Sequence, residues 1–133
     1  MARSAARWER ISRNGDPADA LRQIVGAYLD PAHVRTTESG CVLATLGPEV
    51  ARRPDARAGM AEPVRAMLGA LERCMPGASP GQAKATLSAM VGAVILARLA
   101  DQGAMAEEFL DAVKHAVLRG RPGGVSAAPG DGA

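Results

Sequence analysis

One tryptophan, one tyrosine and one phenylalanine are all the aromatic residues this chain has among its 133 residues. A core of ordinary size must therefore be assembled from Ala, Leu, Val and Met. Ala, Leu and Met are strong helix formers. Sheets draw instead on β-branched and aromatic residues, and Val alone is common here. The composition predicts an all-α fold, and no strand-like alternation competes with it.

Helix start and stop signals divide the chain. A first helix is expected over about 2–12, closed by Asn14-Gly15. Asp16 then caps a second, with Pro17 at its first position. Leu21, Ile24, Val25, Tyr28 and Leu29 fall at i, i+3, i+4, i+7, i+8 and give this helix one apolar face. Asp30-Pro31 ends it, and 31–40 reads as a polar loop. A short helix is predicted over 42–53, interrupted by Gly47-Pro48. Another runs from Asp55 to Met75, with Pro63 marking a kink or a late start. Ser79-Pro80-Gly81-Gln82 is a complete N-terminal signature, with serine as cap, proline first and glutamine closing a capping box. The helix it opens reaches about Asp101 and is apolar nearly all round between Leu87 and Leu96, so it needs cover on several sides. The last helix, 104–119, carries Met105, Phe109, Val113 and Val117 as an i+4 ridge. Its acidic residues lie early and its basic ones late, which suits the helix dipole. The architecture expected is an orthogonal or antiparallel bundle of about five helices over 1–119. Residues 120–133, rich in Gly, Pro and Ala, read as a disordered tail.

Several functions are disfavoured by what is present. The net charge is +2, without the basic excess of a stand-alone nucleic-acid binder. Arg3, Arg7, Arg10 and Arg13 lie at helical spacing. They read either as a phosphate-contacting face or as the solvated side of an exposed terminal helix. Cys41 and Cys74 are far apart and form no metal-ligand spacing with histidine, so a reduced cytoplasmic setting is expected. Cys41 at a helix entry reads as a buried small hydrophobe or a reactive thiol. His33 and His115 have no motif partners, no phosphate-binding glycine loop occurs, and Glu107, Glu108 and Asp111 read as a solvated face. No enzyme chemistry, metal or cofactor is expected. The longest apolar stretch, Ala89 to Ala97, is too short to span a membrane.

Residues Gly40-Cys41-Val42-Leu43-Ala44-Thr45-Leu46, followed by Glu49-Val50-Ala51, resemble a segment of many C-terminal domains of TetR-type transcriptional regulators. The Leu68 to Met75 region, the capped apolar helix and the final amphipathic helix follow in that family's order, so the resemblance covers about 16–120. It implies an effector-binding and dimerisation domain. The family's N-terminal helix-turn-helix has no counterpart here. Residues 2–12 and 17–29 are a poor candidate, because Asp16 and Asp19 stand where a recognition helix meets phosphate, and 1–12 read as the remnant of a linking helix. The chain alone is therefore not expected to bind DNA specifically. The resemblance further implies a homodimer through the last two helices. Gly92, Ala93 and Ala97 would allow close contact, and Met105, Phe109, Val113 and Val117 would supply the ridge. A lipophilic effector is expected among the middle helices, lined by Met60, Val64, Met67, Leu71, Thr86, Met90 and Val94, with Thr45 and Ser88 as further polar candidates. Two alternatives stay open: a stand-alone helical protein that heterodimerises with full-length regulators, and a small-molecule carrier.

Overall fold

The computed structural model describes residues 3–36, 41–100 and 103–119. All regular structure among them is helical. The elements are α1 (Arg3–Ser12), α2 (Pro17–Tyr28), α3 (Pro31–Arg35), α4 (Val42–Ala51), α5 (Pro54–Arg57), a 3-10 turn at Ala58–Met60, α6 (Ala61–Cys74), α7 (Pro80–Leu99) and α8 (Ala104–Leu118). The all-α bundle expected from composition is the fold. The expected tail lies outside the described residues.

The start signals act as the sequence predicts. The Asp16 carboxylate accepts hydrogen bonds from the Ala18 and Asp19 amides at the head of α2. The Ser79 hydroxyl accepts from the Gln82 amide at the head of α7. Each holds two or one of the amides a helix start leaves unpaired. Gly103 sits at φ +88° and turns the chain into α8, a conformation other residues rarely adopt.

Three expectations need correction. The polar loop over 31–40 contains α3, because Asp30-Pro31 repeats the Asp16-Pro17 device. The Asp30 carboxylate accepts from the Ala32 amide at 2.8 Å. Second, α4 runs unbroken through Gly47-Pro48. A proline inside a helix removes one backbone hydrogen bond but need not end the helix. Third, the long helix expected from Asp55 is α5, the 3-10 turn and α6 in succession, so of the two readings of Pro63 the late start is the one realised. Pro63 falls in the first turn of α6, where its missing N–H would have had no helical partner in any case.

The long α7 is the centre of the bundle. It packs most extensively against α8, and α6, α4 and α3 cover its other sides. The α1 helix lies along α6, and α2 fits among α1, α6 and α8. Ile24, Leu29, Met67, Leu71 and Met90 are the largest wholly buried side chains, followed by Val25 and Val94. Small residues allow the close approach: Ala70 on α6 and Ala83, Ala93 and Ala97 on α7 are all buried.

The first helix is not a frayed extension. Ala5 and Trp8 are buried, and the indole meets the Tyr28 ring edge-on with centroids 5.4 Å apart. The Arg73 Nε on α6 donates to the Ser12 hydroxyl at 3.0 Å and ties the end of α1 down. Arg7, Arg10 and Arg13 are exposed, as either reading of them requires, and the Arg3 side chain lies outside the described residues. The Arg13–Glu9 pair at 4.0 Å is solvated, and such pairs contribute little.

Candidate functional site

The seven residues expected to line an effector cavity are brought together, but as packing. Met67, Leu71, Thr86, Met90 and Val94 on the packed pair α6 and α7 are buried, Val64 on α6 is half-buried, and so is Met60 in the 3-10 turn before it. None of them lines either of the two cavities described below. These buried side chains belong to the hydrophobic core. Ser88 points outward, its hydroxyl donating to the Lys84 carbonyl at 2.9 Å. The Thr45 side chain lies outside the described residues.

Thr86 is the exception within this core. It is wholly buried and its hydroxyl has no hydrogen-bond partner. An unpaired buried hydroxyl costs about 1–3 kcal/mol. Thr86→Val replaces it with a methyl group of the same shape. The variant is expected to be more stable by about 1 kcal/mol, read as a raised thermal midpoint. A lowered midpoint would show that Thr86 has a partner in solution.

The larger cavity, about 480 Å³, lies at one end of the bundle. The start of α2, the end of α6 and the end of α8 meet there. Leu21, Cys74, Val117 and Leu118 supply apolar walls, with Asp16 and Arg119 at the polar margin. The Asp16 carboxylate is already committed to capping α2, which leaves Arg119 as the charged group there free to meet a ligand. Burial pushes the Cys74 thiol up, with Arg73 opposing, so the wall is a neutral thiol. The size falls within the range of small-molecule sites, about 300–1,000 Å³. Sequence reasoning did not point to these residues. They sit at three helix ends far apart in the chain, and no local pattern announces that such ends converge. A smaller cavity of about 50 Å³ lies beside Trp8, Tyr28 and His33.

A polar junction joins four helices near that smaller cavity. The His33 Nδ1 lies 2.7 Å from the Tyr28 carbonyl. Its Nε2 accepts from the Cys41 amide at 2.9 Å. These partners specify a neutral ring with its proton on Nδ1. From α7, the Arg98 guanidinium donates to the Val34 carbonyl at 3.0 Å and to the His33 carbonyl at 3.4 Å. The Tyr28 ring stacks at a tilt against the imidazole, centroids 4.6 Å apart. Its buried hydroxyl has no conventional partner; the neighbouring Cys41 thiol is a weak one. Burial pushes the tyrosine far above its ordinary value, and Cys41 adds to this against Arg98. His33 thus has the partners its sequence context hid. Cys41 is buried at the head of α4, as a small hydrophobe would be. It meets His33 through its amide and not its sulfur, so the junction is not a thiolate–imidazole pair.

The remaining titratable candidates stay outside. His115, Glu107, Glu108 and Asp111 are exposed on α8. Among the described residues no cluster of His, Cys, Asp and Glu could hold a metal.

The surface of α7 and α8 is divided. Ala93, Ala97 and Val117, expected at a dimer interface, are buried inside this single chain at 2% exposure or less. They belong to its own core, and the expectation is corrected for them. Gly92, Phe109 and Val113 are half-buried, and Met105 is exposed. Two residues not singled out beforehand extend this face: Leu96 is 44% exposed and Leu99 is 75% exposed. With Met105 at 59% they leave large apolar side chains in water around the end of α7 and the start of α8.

Comparison with known proteins adds no relative: no family model matches the chain, and no curated protein or solved structure is significantly similar. No helix among the described residues is long and apolar enough to cross a membrane.

Proposed function

We propose that this chain is the dimerisation and effector-binding domain of a TetR-type transcriptional regulator acting in the cytoplasm. The observation that carries the reading is the apolar face of Leu96, Leu99 and Met105. Grouped exposed side chains of this size mark interaction surfaces. They lie on the two helices that pack most closely together, so a second copy meeting them would make a four-helix contact about a two-fold axis. Asp16 and Asp19 at the start of α2, where a recognition helix would meet phosphate, favour this reading over a DNA reader.

The effector is a small lipophilic molecule, and its site is the cavity where α2, α6 and α8 end. One of those helices, α8, also carries part of the apolar face. An effector wedged against Val117 and Leu118 would displace α8 and alter the spacing of whatever the dimer carries. The test is a titration with N-phenyl-1-naphthylamine, an uncharged lipophile that fluoresces when it leaves water. Saturable binding that Leu21→Arg weakens about tenfold or more is expected, because a cation then enters an apolar wall. Binding untouched by Leu21→Arg places the site elsewhere. No saturable binding removes the effector from the proposal and leaves a dimerising interaction protein.

A further inference from the structure

We propose that His33 is an acid-released latch: a proton on its Nε2 breaks the bond from the Cys41 amide, frees the head of α4 and opens the Cys41 thiol to solvent. This does not rest on the regulator reading. It rests on which atoms face which. In the neutral ring Nδ1 donates to the Tyr28 carbonyl and Nε2 accepts from the Cys41 amide. A histidine that gains a proton becomes a donor at both nitrogens. The Tyr28 side tolerates this, because a carbonyl still accepts. The Cys41 side does not, because two N–H groups then point at each other across 2.9 Å. One proton turns a hydrogen bond into a repulsive contact at a single, identifiable place.

The surroundings decide when that happens. Arg7 faces the ring from α1, Tyr28 from α2, Asp30 from the cap of α3, Cys41 from the head of α4 and Arg98 from α7. Burial holds the imidazole below its ordinary value. The Tyr28 carbonyl and Asp30 oppose burial, while Arg98 and Arg7 reinforce it. A base whose folded-state value is depressed adds stability above its unfolded value, about 6.5, and loses it as the pH falls toward the folded value. The latch is therefore closed at neutral pH and opens as the pH falls toward the folded value.

The opening is confined by what else holds the segment. α3 remains pinned to α7, because Arg98 binds the carbonyls of His33 and Val34 and not the ring. The head of α4 is otherwise held by apolar packing of Cys41 and Ala44 and by the weak contact of the Cys41 thiol with the Tyr28 hydroxyl; Cys41 is its cap residue and gives no side-chain capping bond. What moves on protonation is thus the start of α4, carrying a thiol that is 1% exposed when the latch is closed.

The chain carries its own control in Cys74, which is also buried but sits at the far end of α6. The full chain is pulsed with 4,4′-dithiodipyridine at about pH 7.5 and about pH 5, and tryptic peptides separate the two cysteines. Both cysteines meet the same reagent in the same pulse, so the change in their labelling ratio between wild type and His33→Gln reports access. The Cys41-to-Cys74 ratio is expected to be severalfold higher at the lower pH. His33→Gln keeps a neutral donor and acceptor and is expected to abolish the rise. A ratio that does not change in the wild-type chain overturns the proposal, and so does an equal rise in His33→Gln. Should that variant not fold, nitrogen-15 spectra of the wild-type imidazoles decide. The neutral His33 ring is expected to carry its proton on Nδ1 and to charge together with loss of exchange protection at the Cys41 amide. A proton on Nε2, or charging with no change at Cys41, overturns it.

Discussion

Replacing Leu99 and Met105 together by glutamate is expected to turn a dimer into a folded monomer. Light scattering after size exclusion should give the unmodified chain twice its own mass at tens of micromolar, and the double variant its own mass. Both side chains are mostly exposed in the single chain, 75% and 59%, so the monomer fold should keep its helical circular dichroism. Across a two-fold interface each substitution occurs twice, and four carboxylates would enter an apolar contact without partners. Unpaired charge is among the most expensive things to bury. A dissociation constant weaker by roughly 100-fold or more, about 2.7 kcal/mol, follows. A parent chain that is already monomeric would remove the proposed interface and the regulator reading with it. A variant that remains dimeric would place the contact on another face.

The second large effect concerns the first helix. Trp8→Ala is expected to destabilise the chain by about 3–5 kcal/mol, the cost of truncating a buried indole. The indole is 3% exposed, meets Tyr28 edge-on and belongs to a helix that lies along α6. Domains of this size are held by about 5–15 kcal/mol in all, so the midpoint in urea should fall steeply. A loss below about 1 kcal/mol, the range of surface changes, would mean that α1 is a strut outside the cooperative unit.

The helix caps were legible because they are local. Asp16-Pro17 and Ser79-Pro80 each hold their amides within three residues of chain. The same dipeptide at Asp30-Pro31 marks the end of α2 in sequence and, less visibly, the start of α3. A five-residue helix has little stability of its own, and α3 is held by the distant Arg98 and by the His33 bonds. The Arg98 contacts span more than sixty positions and leave no trace in a local window.

The faces of the last two helices were only half legible, for a geometric reason. A row spaced by four advances about 40° around the helix at each step, since 3.6 residues complete a turn. The ridge Met105, Phe109, Val113, Val117 thus winds about 120° from end to end. It begins exposed at Met105 and ends wholly buried at Val117. On α7 the apolar residues surround the axis, and periodicity cannot choose a side. Packing chose: Ala93 and Ala97 turned inward where helices approach closely, and the bulkier Leu96 and Leu99 were left outside. The cavity was illegible altogether, because its walls come from three helix ends.

The chain has one tryptophan, and it stands edge-on to its one tyrosine in the layer that α1, α2 and α6 share. Excitation of the indole alone therefore reports on that layer and on nothing else. Blue-shifted emission would mark the docked state, and a red shift would mark undocking of the first helix even while the far-ultraviolet signal of the other helices persists. Local opening at this end of the molecule can in this way be followed without any added label.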